Sequence, residues 1–217
     1  MRHPSPIYLQ RAEMAFLHTR INPHFLFNTL NAVASLSEED PIIMRMLLNR
    51  LGTFLYKTFR KENLNPLIPV HQELRLVKTY LDIEKIRFNG RLQTQLHIGG
   101  DVGNVLIPPL TIQSLAENAV RHGLMARKQG GTLRVSAIAD SSVCRISVQD
   151  DGIGIAKASA AWYRMQSNRS GSLPSIDRRL KQIYGTGLLI HSDPDTGTRI
   201  SFAIPLAGGY MHESDSN

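Results

Sequence analysis

"VQDDGIGI", residues 148–155, is the stretch on which the reading of this chain turns. Val143 to Gln149 alternates apolar and polar residues, the period of a half-buried strand, and runs directly into an acidic pair and two glycines. Asp150, at the strand's end, can accept a hydrogen bond from an exocyclic amine, and Gly152 and Gly154 let backbone approach a planar ligand closely. Alone, a strand that ends in Asp-Gly is an ordinary turn. Its surroundings decide what it does.

Upstream, Thr132 to Ala139 alternates in the same way and is separated from Val143 by Asp-Ser-Ser, a hairpin signature. Downstream, Leu188 to His191 and Arg199 to Ile204 flank "SDPDTG" and form a second hairpin. A further strand is expected over Thr94 to Ile98. Helices are expected over Pro69 to Phe88, with Leu74, Val77, Leu81 and Phe88 on one stripe, and over Pro109 to His122. This half is α+β with a largely antiparallel sheet.

The first third is helical. Residues 8 to about 36 read as a helix broken or bent at Pro23, and Pro41 to about Arg60 as a second, with Ile43, Met46, Leu47, Leu51, Phe54 and Leu55 on one face. Asp40 is the expected N-cap between them, with Pro41 at the first helical position. Such a hairpin cannot cover both apolar faces alone, and a second copy would complete a four-helix bundle, so a homodimer through residues 8–63 is expected. "KENLNPLIPV" reads as a linker. The expected domains are therefore 1–63, a helical hairpin; 64–206, the α+β unit; and 207–217, a short disordered tail.

Composition narrows the function. The 217 residues carry 25 Lys+Arg against 18 Asp+Glu, a formal charge of +7, but the basic residues are scattered and no stripe with interleaved aromatics appears. Direct nucleic-acid binding is not expected. The single cysteine, Cys144, rules out an intramolecular disulfide and a cysteine-based metal site, and points to a reducing, cytoplasmic setting. No apolar run reaches the roughly 18 residues of a membrane span, and "MRHPSPIYLQ" lacks a signal peptide's apolar region.

Two more clusters carry chemistry. In "SLAENAVRHG", residues 114–123, helical spacing puts Asn118, Arg121 and His122 on one face with Glu117 one turn before Arg121. A carboxamide, a carboxylate, a guanidinium and an imidazole suit Mg²⁺ and phosphate oxygens, although a solvated face with a Glu–Arg pair would carry the same residues. In "TGTRISFAIP", residues 196–205, a Thr198 hydroxyl entering a strand can reach the same pocket, or simply belong to a hairpin turn. At the other end of the chain, "RINPHFLFNTLNAV", residues 20–33, sets His24 directly after Pro23 and beside Phe25, Leu26 and Phe27. A core histidine on an amphipathic helix is the ordinary explanation of such a ring.

In this order, the Asn-bearing helix, the strand ending in Asp-x-Gly-x-Gly and the late Gly-Thr resemble the Bergerat, or GHKL, ATP-binding fold of gyrase, MutL, the heat-shock chaperone and histidine kinases. "INPHFLFNTLN" resembles the phosphoacceptor motif of LytS-type sensor histidine kinases, and "YLDIEKIRF" and "IPPLTIQSLAENAVRHG" resemble later motifs of that family. The resemblance covers about residues 11 to 206. It implies a two-component kinase core: a dimerising hairpin followed by an α/β sandwich. ATP would sit with Asp150 on the adenine amine and Thr198 supporting that edge, Asn118 would hold Mg²⁺, and Arg121 with His122 would neutralise phosphate. His24 would attack the γ-phosphate, with Glu117 the nearest group to take or tune its ring proton. The phosphoryl group would pass to a response-regulator aspartate, the regulator expected to carry a LytTR-type DNA-binding domain.

One box departs from the family. Registered on Arg179-Leu180, it reads Ser170-Gly171-Ser172-Leu173, with serine for both expected glycines, Gly171 alone remaining, and Ser175 where asparagine is expected. Serine where positive φ or close phosphate approach is needed costs roughly 1 kcal/mol or more. The alternative that follows is a weakly nucleotide-binding interaction module that signals through its hairpin. Only about ten residues precede the acceptor helix, so the expected input comes from a sensor or membrane segment outside this chain, or from a partner.

Overall fold

The computed structural model describes residues 22–59, 65–155 and 173–206. Residues 8–21 of the expected first helix, the Ser170-Gly171-Ser172 box and the tail lie outside the described residues.

The Asn22 side chain accepts from the His24 N–H at 3.0 Å and Pro23 occupies the first helical position, so α1 (Pro23–Glu39) begins at the proline. Asp40 ends α1 and opens α2 (Pro41–Thr58), its carboxylate accepting from the Ile42 and Ile43 N–H groups, as Asp-Pro predicts. The inner face of this hairpin packs on α3 (Val70–Arg87) of the same chain. The Phe25 ring lies 5.2 Å from both Phe54 and Tyr80. The face expected to wait for a second copy is thus partly covered from within. A second apolar set stays outside: Phe27 is 63% exposed, Ile42 81% and Tyr56 70%.

The segment read as a linker contains β1 (Ile68–Pro69), which pairs antiparallel with β3 (Leu106–Ile107). Five longer strands form one sheet: β2 (Leu92–Gly99), β4 (Gly131–Ala139), β5 (Val143–Asp150), β6 (Leu189–Asp193) and β7 (Gly197–Pro205). Their order is β2-β4-β5-β7-β6; β2 pairs parallel with β4 and every other pair is antiparallel. Alternate residues (Leu133, Val135 and Ala137; Ile146 and Val148; Ile200, Phe202 and Ile204) are buried, which gives the sheet one covered face. The covering helices include α4 (Thr111–Asn118) and α5 (Leu173–Tyr184). The mixed, largely antiparallel sheet matches the expected α+β class.

The expected helix Pro109 to His122 is two structures. α4 starts where Leu110 adopts φ 61°, and its N-terminus has no local side-chain cap. Glu73 of α3 supplies one from a distance, accepting from the N–H groups of Leu110, Ile112 and Gln113 at 2.5, 3.0 and 3.3 Å. After Asn118 the helix widens into a π turn over Ala119–Leu124, closed by the Met125 N–H on the Val120 carbonyl at 2.9 Å. No helix among the described residues is long and apolar enough to cross a membrane.

Candidate nucleotide and phosphoacceptor site

Register builds the floor of the site. Across β4, β5, β7 and β6 the facing residues are Leu133, Asp150, Thr198 and Ser192 in one transverse row. The Thr198 and Ser192 hydroxyls meet at 2.8 Å, and Ser192 also accepts from the Ile155 N–H at 2.8 Å. Asp150 is buried and accepts from the Gly152 N–H at 2.9 Å. Burial raises its carboxyl to about 6, opposed by hydrogen bonds from the Gly152 and Thr198 N–H groups.

A cavity of about 400 Å³ opens over this row, within the range of small-molecule sites. Asp150 and Thr198 meet Asn118 and His122 there, between apolar walls that include Leu115, Ile153 and Ile200. Burial and the neighbouring Arg121 lower the His122 pKa, so at neutral pH the ring is an uncharged hydrogen-bonding group. Arg121 is exposed and does not line the cavity: the π turn breaks the helical face on which it was expected beside Asn118 and His122. Among the described residues no cluster of three His, Cys, Asp or Glu could hold a metal. The Asn118 carboxamide is one of the oxygen donors that line the cavity.

The glycines also bring protein backbone together, and Gly154 lines the cavity. A Cβ on Gly152 would fall well inside contact distance of the Gly123 carbonyl, so what comes close there is protein backbone. Gly154, at φ 67°, has the Asp193 carbonyl where its Cβ would be. The glycines thus press the loop after β5 against the π turn and the β6–β7 hairpin, and they shape the cavity wall. Gly123 and Ser192 were not foreseen; Gly123 closes the quoted "RHG", but nothing in sequence pairs Ser192 with Thr198.

His24 is exposed on the first turn of α1, with the Asn28 amide nitrogen 3.0 Å from its Nδ1. Glu117 makes no hydrogen bond to the His24 ring. Its carboxylate takes Asn22 Nδ2 at 2.5 Å and Gln113 Nε2 at 3.1 Å. Behind it lies Glu84, buried, held by Arg87 at 2.7 and 2.8 Å; burial raises its carboxyl to about 7 against the pull of Arg87 and Tyr80, while Glu117 adds to the rise. The first turn of α1 and α4 are thus joined through Asn22. Gly171 lies outside the described residues.

Residues 12–92 match the family described as histidine kinase, and residues 109–208 match the histidine kinase-, DNA gyrase B- and HSP90-like ATPases. The chain belongs to the histidine kinase family. It is 38% identical over 199 residues to the protein YwpD of Bacillus subtilis (strain 168), covering 91% of this chain and 71% of that one. It is 34% identical over 203 residues to the sensor protein LytS of Staphylococcus haemolyticus (strain JCSC1435), covering 91% of this chain and 35% of LytS. The chain thus spans about a third of that sensor's length. The histidine kinase domain of the Erythrobacter litoralis EL346 blue-light activated kinase shares the fold, with a TM-score of 0.52 at 19% identity over 91% of this chain and 93% of that one. In class, the family is one of ATP-dependent histidine kinases.

Proposed function

We propose that the chain binds ATP with Mg²⁺, phosphorylates its own His24 and passes the phosphoryl group to an aspartate of a response regulator. The observation that carries this reading is the buried Asp150–Thr198 pair at the base of the cavity, with Asn118 on its wall, in a chain whose α1 opens on an exposed His24. Asp150 accepts from the adenine amine, the Thr198 and Ser192 hydroxyls support that edge, and the apolar walls hold the ring. Asn118 and His122 face the phosphates. Mg²⁺, when bound, neutralises phosphate charge there, with Asn118 as its protein ligand.

In the transfer, a ring-nitrogen lone pair of neutral His24 forms the N–P bond while the bond from phosphorus to the β,γ-bridging oxygen breaks. ADP leaves with that electron pair. The proton on the other ring nitrogen is lost from the exposed phosphoimidazole to solvent. Glu117, tied to Asn22 and Gln113, sits at the joint between acceptor turn and cavity helix and not on the ring. The exposed apolar side chains of α1 and α2 support a homodimer through the hairpin, and the LytS likeness supports a regulator of LytTR type.

Incubation with γ-labelled ATP and Mg²⁺ tests the reading. Acid-labile, alkali-stable label that vanishes in His24→Gln is the expected result; label persisting in that variant overturns the assignment.

A further inference from the structure

Asn22 does two things at once. Its carbonyl oxygen caps α1 by accepting from the His24 N–H at 3.0 Å, and its amide nitrogen donates to Glu117 Oε1 at 2.5 Å. Asp, Ser and Thr cap a helix about as well as Asn. Among them only the carboxamide offers an acceptor on one atom and a two-hydrogen donor on another. The cap alone leaves the choice of Asn open, and the donor to Glu117 explains it.

The rest of the turn is anchored so that Asn22 meets Glu117. The Arg87 guanidinium lies 6.0 Å from the centroid of the Phe25 ring, and Arg87 is itself fixed by both oxygens of buried Glu84. Phe25 also packs on Tyr80 and Phe54. On the cavity side Gln113, one turn earlier on α4, holds the second Glu117 oxygen, which leaves Oε1 facing Asn22. Tyr80, Glu84 and Arg87 all belong to "YLDIEKIR", a motif to which the phosphoryl-transfer chemistry assigns no step.

We infer that Asn22 is a positioning residue, whose carboxamide ties the start of the acceptor helix to Glu117 and thereby sets where His24 stands relative to the nucleotide cavity. The role rests on the kinase reading above; the contact itself does not.

A double-mutant cycle separates the tie from the cap. Asn22→Asp keeps the cap but sets a second carboxylate against Glu117. Glu117→Gln keeps an acceptor for Asn22. In the double variant the new amide at position 117 donates to the new carboxylate at position 22, restoring the tie with donor and acceptor exchanged. Single-turnover labelling of His24 at saturating ATP is expected to fall about tenfold when Asn22→Asp is made in the parent. In the Glu117→Gln background the same substitution should cost less than about twofold, a coupling of the size expected for a charge-assisted hydrogen bond. The ATP concentration giving half-maximal rate stays unchanged. Equal losses in both backgrounds would show that Asn22 is a cap and nothing more, and overturn the inference. A parent chain that takes no label fails the kinase reading and removes the role toward His24. The same cycle read by urea unfolding still reports whether the tie exists, and additivity there overturns it as well.

Discussion

A Cβ on Gly123 would overlap Oδ1 of Asp150, so the π turn that follows Asn118 can lie against the sheet only because residue 123 has no side chain. The relationship ties the turn after Asn118 to the strand that ends in Asp150 through one missing atom. Gly123→Ala is expected to displace the Asp150 carboxylate, lower affinity for a non-hydrolysable ATP analogue more than about tenfold, and destabilise the fold by about 1–3 kcal/mol. Gly152→Ala meets backbone where Gly123→Ala meets a side chain, and should cost more in urea unfolding. Gly52→Ala on α2, with no atom within 4 Å of the added methyl, should instead stabilise by about 0.5–1 kcal/mol. Calorimetric titration and unfolding curves on the three variants check the order.

On the proposed function, Asp150 gives nucleotide binding a pH dependence of fixed direction. Burial raises its carboxyl from 3.8 to about 6, so the ionised acceptor that the adenine amine needs predominates only above that pH. Affinity for the analogue is expected to be flat from about pH 7 upward and to fall below pH 6, approaching tenfold per unit. Asp150→Asn should bind weakly at every pH. A titration series between pH 5 and 8 in which the parent shows no fall would remove Asp150 from the adenine edge.

The fold was legible wherever a local pattern had a local cause. Alternation in Val143 to Gln149 and Thr132 to Ala139 marked β5 and β4, and Asp40-Pro41 marked the joint of the hairpin, because each is enforced by burial or capping within a few residues. Asp150, Asn118, Thr198 and His122 were reachable through motif order and do share one cavity. What escaped is what distant pairing decides. The π turn widens so that Gly123 can meet Asp150; α4 is capped by Glu73, 37 to 40 residues away; and Arg121 leaves the cavity face as a consequence of that turn. No periodicity encodes these. The cover that α3 gives the hairpin was also hidden, since an apolar stripe does not name its partner.

Glu73 offers a stability test of that distant cap. It is buried, with three backbone N–H donors on its carboxylate and Arg179 nearby. Glu73→Ala leaves those donors without a partner and is expected to cost about 3 kcal/mol. Burial raises its pKa from 4.5 to about 7, above the unfolded value, so its contribution is fully present below about pH 4.5 and is lost as pH rises through 7. The unfolding free energy of the parent should therefore fall between pH 5 and 7.5. In Glu73→Gln, which does not titrate, the fall should be smaller, the remainder belonging to Glu84 and Asp150, both raised by burial over overlapping ranges. Urea curves at four pH values decide it; equal slopes in parent and variant contradict the argument.

Asn28 bears on the proposed nucleophile, His24. Its amide nitrogen stands 3.0 Å from Nδ1 and 3.4 Å from Nε2 of His24, one turn along α1, and rotating the amide exchanges its oxygen for its nitrogen at that place. With the oxygen toward Nδ1, the ring holds its proton there and the Nε2 lone pair is free to attack. With the nitrogen toward Nδ1, the proton moves to Nε2 and that lone pair is lost. An acceptor at residue 28 would therefore hold the proton on Nδ1 and leave Nε2 as the free nitrogen. Asn28→Asp, which can only accept, is expected to label His24 within about threefold of the parent, whereas Asn28→Ala should be slower by about tenfold, the scale of one hydrogen bond to the reacting group. Nitrogen chemical shifts of the imidazole should show the Nδ1–H tautomer enriched in Asn28→Asp. An aspartate variant as slow as the alanine one, with no change in tautomer, would show that Asn28 does not govern the ring.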